Sequence, residues 1–70
     1  MNKLHTPALI AQRAEIQEIY AAACEMDRNQ SSRMSGTVHA YEREERESLW
    51  DQYRELTEAY SVARATALQE

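Results

Sequence analysis

The sequence holds one cysteine, one glycine, one proline and no phenylalanine. A single cysteine, Cys24, excludes a disulfide within the chain. With His5 and His39 it makes up all the soft or borderline ligands, which are too few for a four-ligand zinc site. Small domains gain stability from disulfides, metals or partner subunits, so oligomerisation is the route that this 70-residue chain retains.

Long apolar runs and basic clusters are lacking as well. No run approaches the roughly 18 residues that a membrane span requires, and the first residues lack the apolar core of an export signal. The free thiol fits a reducing compartment, so we expect a cytoplasmic protein without a membrane partner. The net charge is −4 and no basic patch is present, which makes direct nucleic-acid binding an unfavoured function.

The groups that catalysis needs do not converge. The only glycine excludes a glycine-rich phosphate loop, and Cys24 has no neighbouring base, which favours a packed thiol over a nucleophile. His39 and Glu42 form H-x-x-E, the reverse of the E-x-x-H order that di-iron bundles repeat. The sequence therefore predicts a protein that is not an enzyme and uses no metal or cofactor.

Most of the other residues in the sequence are strong helix formers. Thr6 and Pro7 form a helix start, with a hydroxyl cap before proline at the first helical position. The polar segment 29–37 contains the only glycine and reads as a loop. We predict helices over 7–28 and 38–68, the second capped by Thr37 or Ser35. The expected fold is all-α, a single domain over residues 1–70 in which the helices form an antiparallel hairpin.

Apolar residues recur on one side of each predicted helix. In the first helix they fall within an arc of about 120°. They are Leu9, Ile16, Ile19, Tyr20, Ala23 and Met26. In the second helix, alternating steps of four and three resemble a coiled-coil seam. That seam consists of Leu49, Tyr53, Leu56, Tyr60, Ala63 and Ala67. We therefore expect the two helices of the hairpin to pack against each other through these two stripes.

Two features predict a homodimer that forms a four-helix bundle. The first helix has a second strip of small residues, although alanine is also simply a good helix former. The second helix is longer, which leaves one end of its stripe without cover in the chain. The predicted oligomer interface comprises Ile10, Ala14, Ala21, Tyr53, Leu56, Tyr60 and Ala63.

The second helix also carries a stripe of acids on the side away from its seam. Steps of three and four place these acids within an arc of about 80°. We define the acidic stripe as Glu44, Glu47, Asp51, Glu55 and Glu58. It is either a solvated back face or a surface that docks on a basic partner, where complementary charge speeds association.

Trp50 is a further candidate for partner binding, together with Arg43 and Arg54 in the same part of the helix. A tryptophan with nearby arginines has the composition of an interaction hot spot. The alternative is that Trp50 packs on the edge of its own hairpin or stacks on Arg54 as a cation–π pair.

The leading hypothesis is a small interaction protein that inhibits or adapts a larger protein. Its size and acidic helix are typical of accessory proteins of phages and mobile elements, which suggests a host or defence nucleic-acid-binding complex with a basic surface as the target. One alternative is a nucleic-acid-associated module using Arg28, Arg33, Arg43 and Arg54. Another is a structural subunit of a homo-oligomer.

Overall fold

A computed structural model describes residues 3–34 and 36–69 of the chain. The first helix, α1, runs over Pro7–Ser31 and the second, α2, over Ala40–Gln69. Within residues 3–34 and 36–69 no strand forms, so the predicted all-α fold is confirmed. The association of two chains into a four-helix bundle stays a prediction.

The two helices pack side by side and antiparallel. Gln30, near the end of α1, donates from Nε2 to the carbonyl oxygen of Glu42, near the start of α2, at 2.7 Å. Further from the loop, the rings of Tyr20 and Tyr53 lie 5.4 Å apart. The resulting rod measures 52 × 15 × 13 Å.

The start of α1 is the predicted one. The Oγ1 of Thr6 accepts a hydrogen bond from the backbone N–H of Leu9 at 3.3 Å, and Pro7 occupies the first helical position. This side-chain oxygen satisfies one of the amide groups that a helix start leaves without a partner.

The end of α1 lies three residues beyond the predicted position. The hydroxyl groups of Ser31 and Ser32 donate to the carbonyl oxygens of Arg28 and Asn29, and the backbone N–H of Ser32 also donates to Arg28. These bonds satisfy carbonyl groups at the helix end and let the helix continue to Ser31. Gly36, with φ of 90°, supplies the left-handed conformation in the short loop that follows.

The start of α2 differs from the prediction of a Thr37 cap. The helix begins at Ala40, and the carboxylate of Glu42 reaches back to accept from the backbone N–H of His39 at 2.9 Å. This is the glutamate half of a capping box, which makes His39 the cap position. Thr37 instead donates from Oγ1 to the carbonyl of Met34 at 2.6 Å. Ser35, the alternative cap, lies outside the described residues.

The contact between the helices is a coiled-coil seam in which steps of three and four alternate without interruption. Every seam residue is buried or half-buried. The seam residues of α1 are Leu9, Gln12, Ile16, Ile19, Ala23, Met26, Gln30 and, just past the helix end, Arg33. Those of α2 are Glu42, Arg46, Leu49, Tyr53, Leu56, Tyr60, Ala63 and Ala67. The seam is thus apolar over most of its length and polar near the loop.

The core that this seam encloses is small. Among the apolar residues described, only Leu9 and Ala23 are buried, at 4% and 0% exposure, and none of the residues of α2 is buried. Large apolar side chains remain on the surface, including Tyr41 and Val62. Because burial of apolar surface is the main stabilising contribution to folding, the hairpin has little of it in reserve.

The C-terminal end of α2 is more buried against α1 than the predicted difference in helix length indicated. The helices differ by five residues, 25 against 30, and Tyr60, Ala63 and Ala67 are all half-buried. The register set by the Tyr20–Tyr53 contact places the start of α1 beside this end.

Candidate protein-interaction surface

Trp50 lies at the edge of the seam and is half-buried. Its Nε1–H donates to Oδ1 of Asp27 at 3.2 Å. Its ring meets those of Tyr20 and Tyr53 edge-on, with centroids 6.0 and 5.6 Å away. Trp50 therefore packs on the edge of its own hairpin, as the structural alternative predicted, and a role in partner binding stays a prediction.

Asp27 connects the two helices at this edge. The oxygen that accepts from Trp50 also lies 3.7 Å from Nε of Arg46, so one carboxylate of α1 contacts two side chains of α2. The sequence pattern did not assign Asp27 this role. The available signal was position, since Asp27 directly follows the seam residue Met26 and so flanks the seam.

A network of polar groups closes the loop end. Arg33 and Glu42 form an ion pair at 3.0 Å, and Arg33 also donates to Oδ1 of Asn29 and to the carbonyl of Thr37. The hydrogen bond from Arg33 and the one from the His39 amide lower the pKa of Glu42, and the same ion pair raises the pKa of Arg33. Electrostatic contacts thus hold the end of the seam where apolar residues are missing.

Replacing Glu42 with glutamine should destabilise the protein near neutral pH and have less effect in acid. The pKa of Glu42 in the folded state lies below its ordinary value of 4.5, so its stabilising contribution is complete above that value. The contribution is lost as the pH falls through the lowered folded pKa. We expect a Tm deficit of a few degrees at neutral pH that narrows towards acid.

Thermal unfolding of wild type and Glu42→Gln over a pH series measures this effect. Glu44→Gln is the matched control, because Glu44 is exposed and forms no ion pair with any described residue. A deficit of constant size across the series would show that the ionised carboxylate is not what stabilises the loop end.

Two of the four arginines in the nucleic-acid alternative form ion pairs, and the other two do not. Arg33 pairs with Glu42, and Arg54 pairs with Asp51. Arg28 and Arg43 are exposed and form no ion pair within residues 3–34 and 36–69. Arg43 lines a surface groove of about 230 Å³ at the loop end. The four arginines therefore do not form one free basic surface.

The acidic stripe faces solvent along its whole length. All five of its carboxylates are exposed, and within the described chain only Asp51 is engaged in an ion pair. The stripe lies on the side of α2 opposite the seam. From Glu44 to Glu58, fourteen residues further along the helix, the stripe extends about 21 Å.

The predicted oligomer interface divides between two places. Tyr53, Leu56, Tyr60 and Ala63 are half-buried in the seam, where they pack within the chain. Ile10, Ala14 and Ala21 are exposed on α1, with Ile10 at 52%. Only this second group remains free to contact another molecule.

A second, larger groove opens on the side of the seam away from Trp50. Its volume is about 420 Å³, and Ala22, Met26 and Leu49 form an apolar part of its lining. Glu25 and Glu45, both exposed, also line it. The groove is shallow and open to solvent, which distinguishes it from an enclosed small-molecule pocket.

The chemistry of the described residues adds no other site. Within residues 3–34 and 36–69, no three of the histidine, cysteine and acidic side chains gather closely enough to hold a metal ion. In the same part of the chain, neither helix is apolar enough over a sufficient length to cross a membrane. Cys24 is half-buried, and its hydrogen bond with Tyr20 raises the pKa of that phenol.

Comparison of the chain with protein-family models, curated proteins and solved structures finds no match. A proposal about function therefore depends on the geometry and charge of the chain's own residues.

Proposed function

We propose that this chain is a non-enzymatic interaction protein that docks its acidic stripe on a basic surface of a larger protein. The observation that carries the proposal is the exposure of all five stripe carboxylates on the side of α2 that does not pack against α1. A charged surface on a rigid helix can meet a partner without rearrangement of the hairpin.

The small core supports a function that depends on association. Only Leu9, Ala23 and Gln30 are buried among the described residues, and Tyr41 and Val62 remain largely exposed. A partner that binds only the folded state stabilises it by mass action. The partner would thus supply stability that the hairpin alone lacks.

The chemistry of the stripe indicates a class of partner. Proteins that bind nucleic acid present lysine and arginine to the phosphate backbone, and an acidic helix about 21 Å long competes for such a surface. Acting there, the chain is an inhibitor or an adaptor of a host or defence complex in the cytoplasm, in the manner of phage and mobile-element accessory proteins. The homodimer belongs to the same proposal.

Neutralising the middle of the stripe tests the proposal. We expect Glu47→Gln/Asp51→Asn/Glu55→Gln to retain its helical circular dichroism but to bind its partner roughly tenfold more weakly, chiefly through slower association. The partner is the protein that tagged wild type retains from a nuclease-treated lysate. Binding kinetics with the purified partner at low and high salt then give the measurement.

The matched control is Glu15→Gln/Glu18→Gln/Glu25→Gln, which removes the same charge from exposed positions of α1. The control should bind like wild type when the chain is dilute. Unchanged binding by the stripe variant, or equal loss in both variants, would contradict docking through the stripe.

The nucleic-acid alternative makes a different prediction. Two of its four arginines, Arg33 and Arg54, already pair with carboxylates of the chain, which weakens the case for it. A gel shift at about 50 mM salt, where phosphate contacts are strongest, would favour this alternative.

A further inference from the structure

The seam divides the surface of the hairpin into two broad faces of opposite charge. In a heptad, the residues that directly follow and directly precede the seam flank it on opposite sides. The contact of Tyr20 with Trp50 shows that the following residues of both helices share one face. The groove lined by Ala22, Asn29 and Glu45 shows that the preceding residues share the other.

The first face carries arginines and aromatic rings, and we name it the arginine–aromatic face. Its residues are Arg13, Tyr20, Arg43, Trp50 and Arg64. The three arginines are exposed, and Tyr20 is 49% exposed. Asp27 also lies here, but its carboxylate already contacts Arg46 and Trp50. Glu47 and Arg54 also follow seam residues and are exposed, and Arg54 pairs with Asp51. With Arg13, Arg43 and Arg64 against Glu47, the face has a net positive charge and an apolar centre.

The second face carries only acids among its charged groups. We name it the acidic face and define it by Glu15, Glu18, Glu25 and Glu45, all exposed. In the described part of the chain, no lysine or arginine directly precedes a seam residue. The open groove with Met26 and Leu49 in its lining gives this face an apolar centre too.

We infer that a second copy of this chain docks its arginine–aromatic face on the acidic face of the first, so that hairpins stack face to back. Each face offers the charge that the other lacks, and each has an apolar centre to bury. The rod is 52 by 15 Å, so a broad face measures about 780 Å². Two broad faces in full contact therefore offer an area of the order of the roughly 800 Å² that each partner buries in a standard stable interface.

The positions of the charges along the rod favour a stack in which all hairpins point the same way. Arg13 lies within two turns of Glu15 and Glu18 on α1, and Arg43 lies within one turn of Glu45 on α2. Moving one copy sideways by a helix diameter therefore brings Arg13 and Arg43 over acids of its neighbour. Pairing like faces about a two-fold axis would instead oppose arginine to arginine or glutamate to glutamate.

Unlike faces make a heterologous contact, which leaves a free face at each end of the stack and allows further copies to add. Glu44, Asp51 and Glu58 of the acidic stripe lie on the back of α2 and stay exposed in the stack, whereas Glu47 follows one seam residue and Glu55 precedes another, at the edges of the two faces. Self-association depends on the concentration of this chain, so partner binding measured on the dilute chain can fail separately.

Sedimentation of the full chain over a concentration series tests the inference. Wild type should associate at low salt and dissociate at high salt, since the Debye length falls from roughly 30 Å at 0.01 M to 3 Å at 1 M. Arg13→Glu/Arg43→Glu makes both faces acidic, and Glu15→Arg/Glu18→Arg/Glu45→Arg makes both basic. Each variant alone should associate at least about tenfold more weakly than wild type.

Mixing the two variants should restore association, because each then meets a face of opposite charge. Arg28→Glu, on the back of α1, is the control and should behave like wild type. If circular dichroism shows that a variant has lost helix, glutamine at the same positions replaces the reversed charges. A wild-type monomer at low salt, a dimer that only one variant disrupts, or a mixture that stays monomeric would each overturn the inference.

Discussion

Replacing Trp50 with alanine should lower the free energy of unfolding by about 2–3 kcal/mol. Removing a fully buried tryptophan costs about 3–5 kcal/mol. Because Trp50 is only half-buried, we expect a smaller loss than that. The variant loses ring contacts with Tyr20 and Tyr53 and the hydrogen bond to Asp27. Urea denaturation followed by circular dichroism gives the measurement.

Trp50→Phe separates the contributions. It keeps most of the ring contact but removes the Nε1–H donor, so we expect a loss of about 1 kcal/mol. If Trp50→Ala unfolds at the urea concentration of wild type, the aromatic cluster does not stabilise the hairpin. Trp50 would then be free to act as an interaction hot spot.

This result governs how binding data at Trp50 are interpreted. An alanine variant that fails to bind a partner could have lost a contact or lost the fold. Trp50→Phe, measured for stability and for binding in the same buffer, distinguishes the two because it leaves most of the packing in place. The acidic stripe lacks this complication, since its carboxylates are exposed.

Replacing Ala23 with aspartate should unfold most of the protein. Ala23 has no exposed surface and lies at the middle of the seam, and the seam arginines Arg33 and Arg46 already pair with Glu42 and Asp27. Burying an unpaired charge costs at least about 3 kcal/mol. A domain of this size has roughly 4–10 kcal/mol of stability in total, and its small core indicates the lower end.

Ala21→Asp is the matched control, two residues away on the exposed back of α1. It carries the same cost in helix propensity, about 0.7 kcal/mol or less, without burial. We expect Ala21→Asp to fold and Ala23→Asp to lose most of its helical circular dichroism. Similar losses in both variants would mean that the helices do not pack closely at Ala23.

The pattern of the sequence predicted the architecture because each signal for it is local. The cap at Thr6, the proline beside it and the glycine of the loop act within one turn of chain. The three–four spacing of apolar residues in turn defines which sides meet. The ends at Ser31 and Ala40 were less predictable, because they depend on bonds such as Glu42 to His39 that only the closed loop reveals.

The candidate site was predictable only in part, and the reason is again distance along the chain. The exposure of the acidic stripe follows from helix geometry alone. The contacts of Asp27 with Trp50 and Arg46 join residues about twenty positions apart, and the register of the hairpin decides them. Spacing within one helix carries no information about that register.

The polar end of the seam has a consequence for which alternative pairings of the helices are possible. If α2 slid by one heptad away from the loop, Glu42 would leave Arg33 and meet the turn that contains Ala23 and Met26. A carboxylate would then be buried without its cation, which is strongly unfavourable. Apolar seams tolerate such slips, whereas one misplaced charge penalises each of them. The polar contacts near the loop therefore give the hairpin a single alignment, and a small core is enough to hold it.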